Sequence, residues 1–570
     1  MNPTAARGPA SAPVWHLYVP KLVTMLRRGY GWQDLRADAV AGLTVAIVAL
    51  PLAMALAIAS GTSPEKGLHT AIIAGFLISA LGGSRVQIGG PTAAFIPVVF
   101  NIIQQHGYGG LILCTLLAGG MLIAAGVLRL GVLLRYMPQP VITGFTAGIA
   151  VSIFMSQVKD ALGLSIEHLP GEFLERARVY AAHLDTFNPW SLALCVGGIA
   201  LIALLRRYRP NWPQFLIVVG LGSLAVALFA LPVPTIGDLY GEIPAALPVL
   251  EVPHIPFERT AELLAPSFTI AFLAGVESLL SATVADGMIG SRHRSNCELV
   301  AQGVANMASA LFGGLPATGA IARTATNIRA GGRTPVAGML HAVFLLVFML
   351  LLAPWMTRVP LAALAAVLLV VAWNMSEREH FRKLMRAPLG DRLVLLTTFG
   401  LTVAFDLTVA IEVGVVMAAL LFMHRMTQVF ALQGGPGLLD EDEDDLARPA
   451  SPDQREQLPD GVAAFRISGP LFFAVANRLD EVLDQYYQPP RVFILRMRLV
   501  PLIDASGAES VIQFVRRCHR RGTAVILSGV REQPRAVLDD LGLVREAGFL
   551  GYAADFDAAV ERARAHIEGA

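Results

Sequence analysis

Gly313-Gly314-Leu315-Pro316-Ala317-Thr318-Gly319-Ala320 interrupts an otherwise apolar part of the chain, and Gly89-Gly90-Pro91-Thr92-Ala93-Ala94 does the same earlier. Each break lies about 50 residues after the start of an apolar half, the first beginning at Ala39 and the second at Pro266. A lone break has an ordinary reading, because Gly and Pro are common in membrane helices. Two at matching offsets point instead to paired broken helices in an internal repeat, the arrangement that places a ligand site at the bilayer midplane.

Outward from the breaks, apolar segments recur at roughly 39–59, 67–82, 92–105, 109–128, 138–156, 190–205 and 213–230. The series continues at roughly 266–287, 296–312, 319–329, 335–353, 360–374, 391–405 and 408–425. Most approach the about 20 residues that cross hydrocarbon, and two are too short to span alone. Seven segments per half is an odd number, so the second half must be inverted relative to the first. Composition agrees: 55% of residues are hydrophobic and 15% charged, with mean hydropathy +0.58, against about 25% charged in soluble domains. This excludes an ordinary cytosolic enzyme. Net charge +1 excludes a polybasic nucleic-acid binder. Cys114, Cys195, Cys297 and Cys518 are scattered and form no CxxC, so neither a disulfide framework nor a metal site is implied, and no cofactor is expected.

The first long apolar run begins near Ala39, behind Arg27, Arg28 and Arg36, too late for a cleavable signal peptide. With the N-terminus inside, the cytoplasmic connections hold Arg85; Arg129 and Arg135; Arg206, Arg207 and Arg209; Arg292 and Arg294; Arg329 and Arg333; and Arg378, Arg382, Lys383 and Arg386. The outer connections are poorer, with Lys66, Lys159, Arg176, Arg178, Arg259 and Arg358. This is the positive-inside pattern, and an even number of spans returns the C-terminus to the cytoplasm.

Charge is unevenly placed, since residues 427–570 hold 38 of the 87 Asp, Glu, Lys and Arg. The expected organisation is therefore a cytoplasmic N-terminal segment (1–38), a transmembrane domain (39–426, repeats about 39–230 and 266–426), an acidic linker (427–460) and a C-terminal α/β domain (461–570). In that last domain, strands at Val462–Phe473, Val492–Leu499 and Thr523–Leu527 alternate with helices near 475–486 and 505–520, and two more helices follow, the pattern of a parallel sheet.

Half-helix N-termini at Thr92–Ala94 and Thr318–Ala320 would present free N–H groups and positive dipole ends, which suit an anion. Arg323, one turn into the second half-helix, would add a full charge, unless it snorkels to the surface. Glu277 is the sharpest single residue, with no other ionisable group between Glu262 and Asp286. A carboxylate at membrane depth is a functional candidate by default, and Ser278 and Ser281 could add oxygen ligands. A structural salt bridge from Glu277 to Arg323 is the alternative. Asp286, beside the Arg292–Arg294 loop, reads as an interfacial charge, and Asp406 as a cap on the turn between the last two spans.

The chain resembles the sulfate permease (SulP) family, which corresponds to the solute-carrier-26 anion transporters. The likeness is dense in Glu277-Ser-Leu-Leu-Ser281, Ala285-Asp-Gly287, Asn296-Cys-Glu-Leu-Val-Ala-Gln-Gly303, Phe312-Gly-Gly314, Ala322-Arg-Thr-Ala-Thr-Asn327 and Gly331-Gly-Arg-Thr-Pro335. The C-terminal domain resembles a STAS domain through Ile467-Ser-Gly-Pro-Leu-Phe-Phe473 and Ile503-Asp-Ala-Ser-Gly507. The resemblance implies fourteen transmembrane segments in two inverted seven-helix repeats, divided into a core (spans 1–4 and 8–11) and a gate domain. It also implies a homodimer and elevator-like displacement of the core.

The family's anion site falls on Gly90, Pro91, Thr92, Ala93 and Ala94 and on Thr318, Gly319, Ala320, Ile321, Ala322 and Arg323. The aspartate that holds sodium in bicarbonate-transporting relatives falls on Glu277, and its hydroxyl partner on Ser281. Glutamate in place of aspartate turns the expected coupling ion from sodium to a proton. Val371-Ala-Trp-Asn-Met-Ser-Glu377 and Ile467–Phe473 look closest to bacterial C4-dicarboxylate members. The reading is a secondary active anion transporter of the inner membrane, taking up C4-dicarboxylates with protons, with a possible cytoplasmic partner for the STAS domain. Sodium-coupled bicarbonate or proton-coupled sulfate transport, a passive anion channel and a regulatory sensor are the alternatives.

Overall fold

The computed structural model describes residues 17–131, 138–166, 169–171, 173–210, 212–243, 246, 248–250, 257–405, 407–429, 431–434, 458–472 and 489–569. Arg135, Asp406, most of the acidic linker and the expected helix near 475–486 lie outside the described residues. The chain divides into two compact units, Met1–Ala418 and Ala419–Ala570.

The first unit is helical. Its first half comprises α1 (Lys21–Arg27), α2 (Trp32–Ala59), α3 (Pro64–Leu81), the two-residue strand β1 (Gly89–Gly90), α4 (Ile96–Val127), α5 (Gln139–Leu162), α6 (Phe173–Ala182), α7 (Pro189–Tyr208), α8 (Gln214–Phe229) and α9 (Ile236–Tyr240). Its second half comprises α10 (Thr260–Ile289), α11 (Ser295–Leu311), β2 (Thr318–Gly319), α12 (Ile321–Arg329), α13 (Val336–Met356), α14 (Leu361–Met375), α15 (Arg378–Leu384), α16 (Leu389–Ala404) and the start of α17 (Leu407–Val429), which runs on past Ala418. Every one of the fourteen expected apolar segments falls on a helix. The segments expected at 92–105 and 109–128 share α4, which is interrupted at Gly107 (φ 68°, ψ −177°). Among the described residues, seven helices are long and apolar enough to cross a membrane on their own. Shorter apolar helices include α8 and the Val409–Met423 part of α17, and α12, nine residues long, follows the second break.

Two groups of helices emerge from the packing. In one, α11 runs along α3 and α4, α10 along α4, and α13 along α2 and α3; in the other, α5, α7, α14 and α16 pack together. The first group is built on small side chains, as α2 shows by burying Ala41, Ala46, Ala49, Ala53 and Ala57. Alanine brings helix axes close with no side-chain entropy to lose, which favours contact where lipid is as apolar as the protein.

Two buried carboxylates hold the loops that flank the breaks. Asp38 on α2 accepts hydrogen bonds from the Arg333 and Thr334 N–H groups (2.7 and 3.1 Å) and from the Thr334 hydroxyl (2.5 Å), fixing the entry to α13. Glu298 on α11, fully buried, accepts from the Gly83 and Ser84 N–H groups (2.8 and 3.2 Å), the Ser278 hydroxyl (3.0 Å) and the Gln302 amide (2.9 Å). Asp286 accepts from the Ser291 hydroxyl and from the His293 N–H, so it organises the α10–α11 turn.

The second unit contains a five-stranded sheet in the order β3-β4-β5-β6-β7. Its strands are β3 (Ala431–Gly434), β4 (Val462–Ser468), β5 (Val492–Leu499), β6 (Ala524–Ser528) and β7 (Phe549–Ala553), and its described helices are α18 (Ala505–Arg520), α19 (Glu532–Asp540) and α20 (Phe556–Glu568). β4 to β7 are parallel and β3 pairs antiparallel with β4. Both faces are covered. Phe493, Leu495 and Met497 pack with Val511, Phe514 and Val515 of α18 on one side, while Val492 and Ile494 pack with Phe556 and Val560 of α20 on the other. This is why β5 opens with an unbroken apolar run, Val492–Leu495, rather than an alternation. Sequence reading missed two strands: β3 lies within the stretch taken as linker, and β7 lies between the last two helices.

Replacing Glu298 with alanine strands the four donors that surround it. Glu298→Ala is expected to destabilise the first unit by at least about 3 kcal/mol, since hydrogen bonds to a charged group contribute ~1.5–3 kcal/mol each. Denaturant unfolding of detergent-solubilised protein measures this, and a loss below about 1 kcal/mol would show that the carboxylate does not pin the loop.

Candidate functional site

The two breaks meet. β1 pairs antiparallel with β2, Gly89 opposite Gly319 and Gly90 opposite Thr318. Pro91 has no N–H and disfavours a helical residue before it, and Gly90 adopts φ +145°, open chiefly to glycine. A Cβ on Gly319 would overlap the Gln87 side-chain amide, so a larger residue there would have to pull Gln87 off the Ser278 hydroxyl. Two further bonds lock it: Ala320 N–H to the Ile88 carbonyl (2.9 Å) and Ile88 N–H to the Thr324 hydroxyl (3.1 Å).

A helical segment follows each strand of the ladder. From β1 the chain passes Pro91 and Thr92 into a 3-10 turn at Ala93–Phe95 that continues as α4. From β2 it passes Ala320 into α12. Neither start has a side-chain cap or an acidic residue in its first turn. The N–H groups of Ile321, Ala322 and Arg323 have no acceptor among the described residues. Two uncapped N-termini at one point concentrate positive potential and unsatisfied donors.

Arg323 reaches back from α12 across the first break. It is 4% exposed, and it donates to the Gly89 carbonyl (3.5 Å) and to the Pro91 carbonyl, leaving Nε unpartnered. Snorkelling is therefore not its role. Glu277, half-buried on α10, accepts a hydrogen bond from the Thr92 hydroxyl at 3.0 Å. No Glu277–Arg323 ion pair forms among the described residues; each side chain is tied instead to the Gly89–Thr92 segment. Thr92 occupies the N-cap position yet spends its hydroxyl on Glu277, which keeps the α4 entry open.

Other expected site residues are placed differently. Ser281 is fully buried and donates to the Thr324 hydroxyl (3.3 Å), so it braces α10 against α12. Ser278 sits between Gln87, Gln302 and Glu298. The buried Thr318 hydroxyl donates to the Ala274 carbonyl (2.8 Å). Gly90, Pro91, Ala93, Ala94 and Gly319 are buried in the break, whereas Thr92 and Ala320 are half-buried and Ile321 and Ala322 exposed. Sequence reading passed over Gln87, Thr324 and Glu298. It also passed over His341 on α13, fully buried with neither ring nitrogen partnered.

Comparison with known proteins bears on this arrangement. A model of the sulfate permease family matches residues 35–398, and a model of the STAS domain matches residues 456–558. Over 523 residues the chain is 40% identical to the "Putative sulfate transporter YvdB" of Bacillus subtilis (strain 168), covering 91% of this chain and 96% of that protein. It is 32% identical to the bicarbonate transporter BicA of Picosynechococcus sp. (strain ATCC 27264 / PCC 7002 / PR-6), covering 79% of this chain and 80% of that one. The fold matches that of the murine solute carrier 26 family member A9 anion transporter in the inward-facing state. That match has a TM-score of 0.85 at 18% identity and covers 99% of this chain and 97% of the other.

Arg323→Ala removes the guanidinium from both carbonyls and from the meeting point of the two N-termini. Saturable anion uptake in proteoliposomes is expected to be lost, while the purified protein stays monodisperse. Wild-type affinity in that variant would assign Arg323 to structure alone.

Proposed function

Because the chain belongs to the sulfate permease family of anion transporters, with a STAS domain at its C-terminal end, we propose that it is a secondary active transporter whose anion sits at the β1–β2 ladder. The observation that carries the proposal is the convergence of two uncapped half-helix starts on buried Arg323, with Glu277 held on the same segment through Thr92. The donors suit an anion held by backbone N–H groups from Ala93–Ala94 and Ile321–Arg323. The group formed by α2, α3, α4 and α10–α13 is the moving core, and that of α5, α7, α14 and α16 the gate. Displacement of one against the other would carry the ladder across the membrane. The working assembly is a homodimer in the plasma membrane, both termini cytoplasmic and the STAS domain free to take a cytoplasmic partner.

A proton is the coupling ion this site favours. Glu277 contacts one hydroxyl, that of Thr92, and Ser281, the other expected oxygen ligand, is engaged by Thr324. Sodium needs several oxygens, whereas a proton needs only the carboxylate. Protonating Glu277 cancels a negative charge beside the anion, so the two ligands favour each other's binding, which is the coupling a symporter requires.

For the substrate, sulfate or bicarbonate fits the names of the relatives. C4-dicarboxylates rest only on Val371–Glu377 and Ile467–Phe473, which lie outside the ladder. Uptake of labelled sulfate, bicarbonate and succinate into proteoliposomes separates the three.

Uptake is expected to exceed equilibrium, rise as external pH falls, ignore sodium and collapse with a protonophore; uptake that never exceeds equilibrium would indicate a passive channel. Glu277→Gln mimics the protonated form and should still exchange anion while losing its response to a pH gradient. Sodium-dependent uptake, or unaltered pH dependence in Glu277→Gln, would remove Glu277 from coupling.

A further inference from the structure

A cavity of ≈ 40 Å³ lies two to three turns along α4 from the ladder, lined by Phe100 and Asn101 of α4, Ser152 and Ser156 of α5, Arg176 of α6 and Thr402 of α16. At about 1.5 Å per residue, Asn101 is ~12 Å along the helix from Ala93. One water takes roughly 10–15 Å³ on this measure, so the space holds a few waters or one small oxyanion.

Arg176 is the unusual member. It is 8% exposed, and its partners are all neutral: the Pro170 carbonyl (Nε, 3.0 Å), the Gly171 carbonyl (Nη2, 3.4 Å) and the Phe100 ring, 5.0 Å away. Nη1 donates to no described group, and no carboxylate lies within ion-pair distance of Arg176 among the described residues. A buried guanidinium without a counter-charge is costly. The other polar groups around it are donors or uncharged: the Asn101 amide, and the hydroxyls of Ser152, Ser156 and Thr402, which now donate to carbonyls of their own helices (3.2, 2.7 and 2.7 Å). The rest of the lining is uncharged and partly apolar, with Ile96, Met155, Phe173, Val403 and Phe405 beside the polar groups. Among the described residues, the one charge facing the space is therefore the Arg176 cation, which calls for a negative guest.

We propose that this cavity is a second anion site, taking one small inorganic oxyanion on Arg176 Nη1 with the Asn101 amide. The inference rests on the anion-transport reading, and in the orientation proposed above the site lies on the outer side. Its walls come from both helix groups, Phe100 and Asn101 from one and Ser152, Ser156 and Thr402 from the other. Sliding the groups past each other dismantles it. The site therefore exists in one arrangement only, and its anion is released toward the α4 entry or back outside when the core moves.

Equilibrium binding of radiolabelled sulfate to the purified full-length protein tests this by stoichiometry. Two ions per chain are expected for the wild type and one for Arg176→Gln. One is also expected for Ser152→Leu, which fills the cavity while keeping the charge and decides the matter should Arg176→Gln fail to fold. Arg323→Gln should independently remove the other ion. A wild type that binds no ion, a single ion that Arg176→Gln retains, or two ions retained by Arg176→Gln or Ser152→Leu, overturns the second site. Binding lost with Arg176→Gln but unchanged in Arg323→Gln would instead keep this site and overturn the ladder as the transport site.

Discussion

A polypeptide cannot leave a backbone N–H or C=O unpaired in hydrocarbon, and this chain interrupts its helices with the two short strands β1 and β2. Each unsatisfied group would cost several kcal/mol there. The β1–β2 ladder is the solution: each break supplies the partners the other lacks, so neither can form without its mate from the opposite repeat. Asp38 and Glu298 serve the same end, using buried carboxylates to satisfy loop N–H groups around the breaks. At the ladder, the N–H groups of Ile321, Ala322 and Arg323 remain without an acceptor among the described residues. That residue of unmet hydrogen bonding is what an anion would complete.

Charge at the ladder is balanced without being neutralised by contact. Arg323 binds two backbone carbonyls and Glu277 binds a hydroxyl, both on the Gly89–Thr92 segment. A direct ion pair would have satisfied both groups and left little for a ligand. Separate anchoring leaves each without a direct partner charge, as the proposed anion and proton roles require. The tight geometry follows from residues with little or no side chain, since Gly319 lies against Gln87 and Gly90 beside Arg323. The STAS-like unit follows ordinary rules of soluble α/β packing, with apolar layers on both faces of a mainly parallel sheet.

The spans, the two breaks, and Arg323 and Glu277 as the charged residues beside them were all legible in the sequence. Hydropathy and Gly/Pro placement act over a few turns of chain, so composition reports them directly. The strands β4, β5 and β6 were legible for the same reason. β7 was not, because it is short and Gly548 and Gly551 give it the look of a turn. β3 was not, because four residues beside a Gly-Pro stretch carry no periodic signal.

Only the tertiary structure decided who bonds to whom. Thr92 reaches Glu277 across 185 positions of sequence, Glu298 reaches Gly83 across 215, and Ser281 turns to Thr324 instead of joining Glu277. Helical periodicity places Ser281 on the same face as Glu277, but which neighbour fills that face depends on how α10 packs against α12. Sequence determines where a chain must break and which residues are costly to bury. The partner that makes each burial tolerable is chosen by packing between segments far apart in the chain, and no local pattern encodes it.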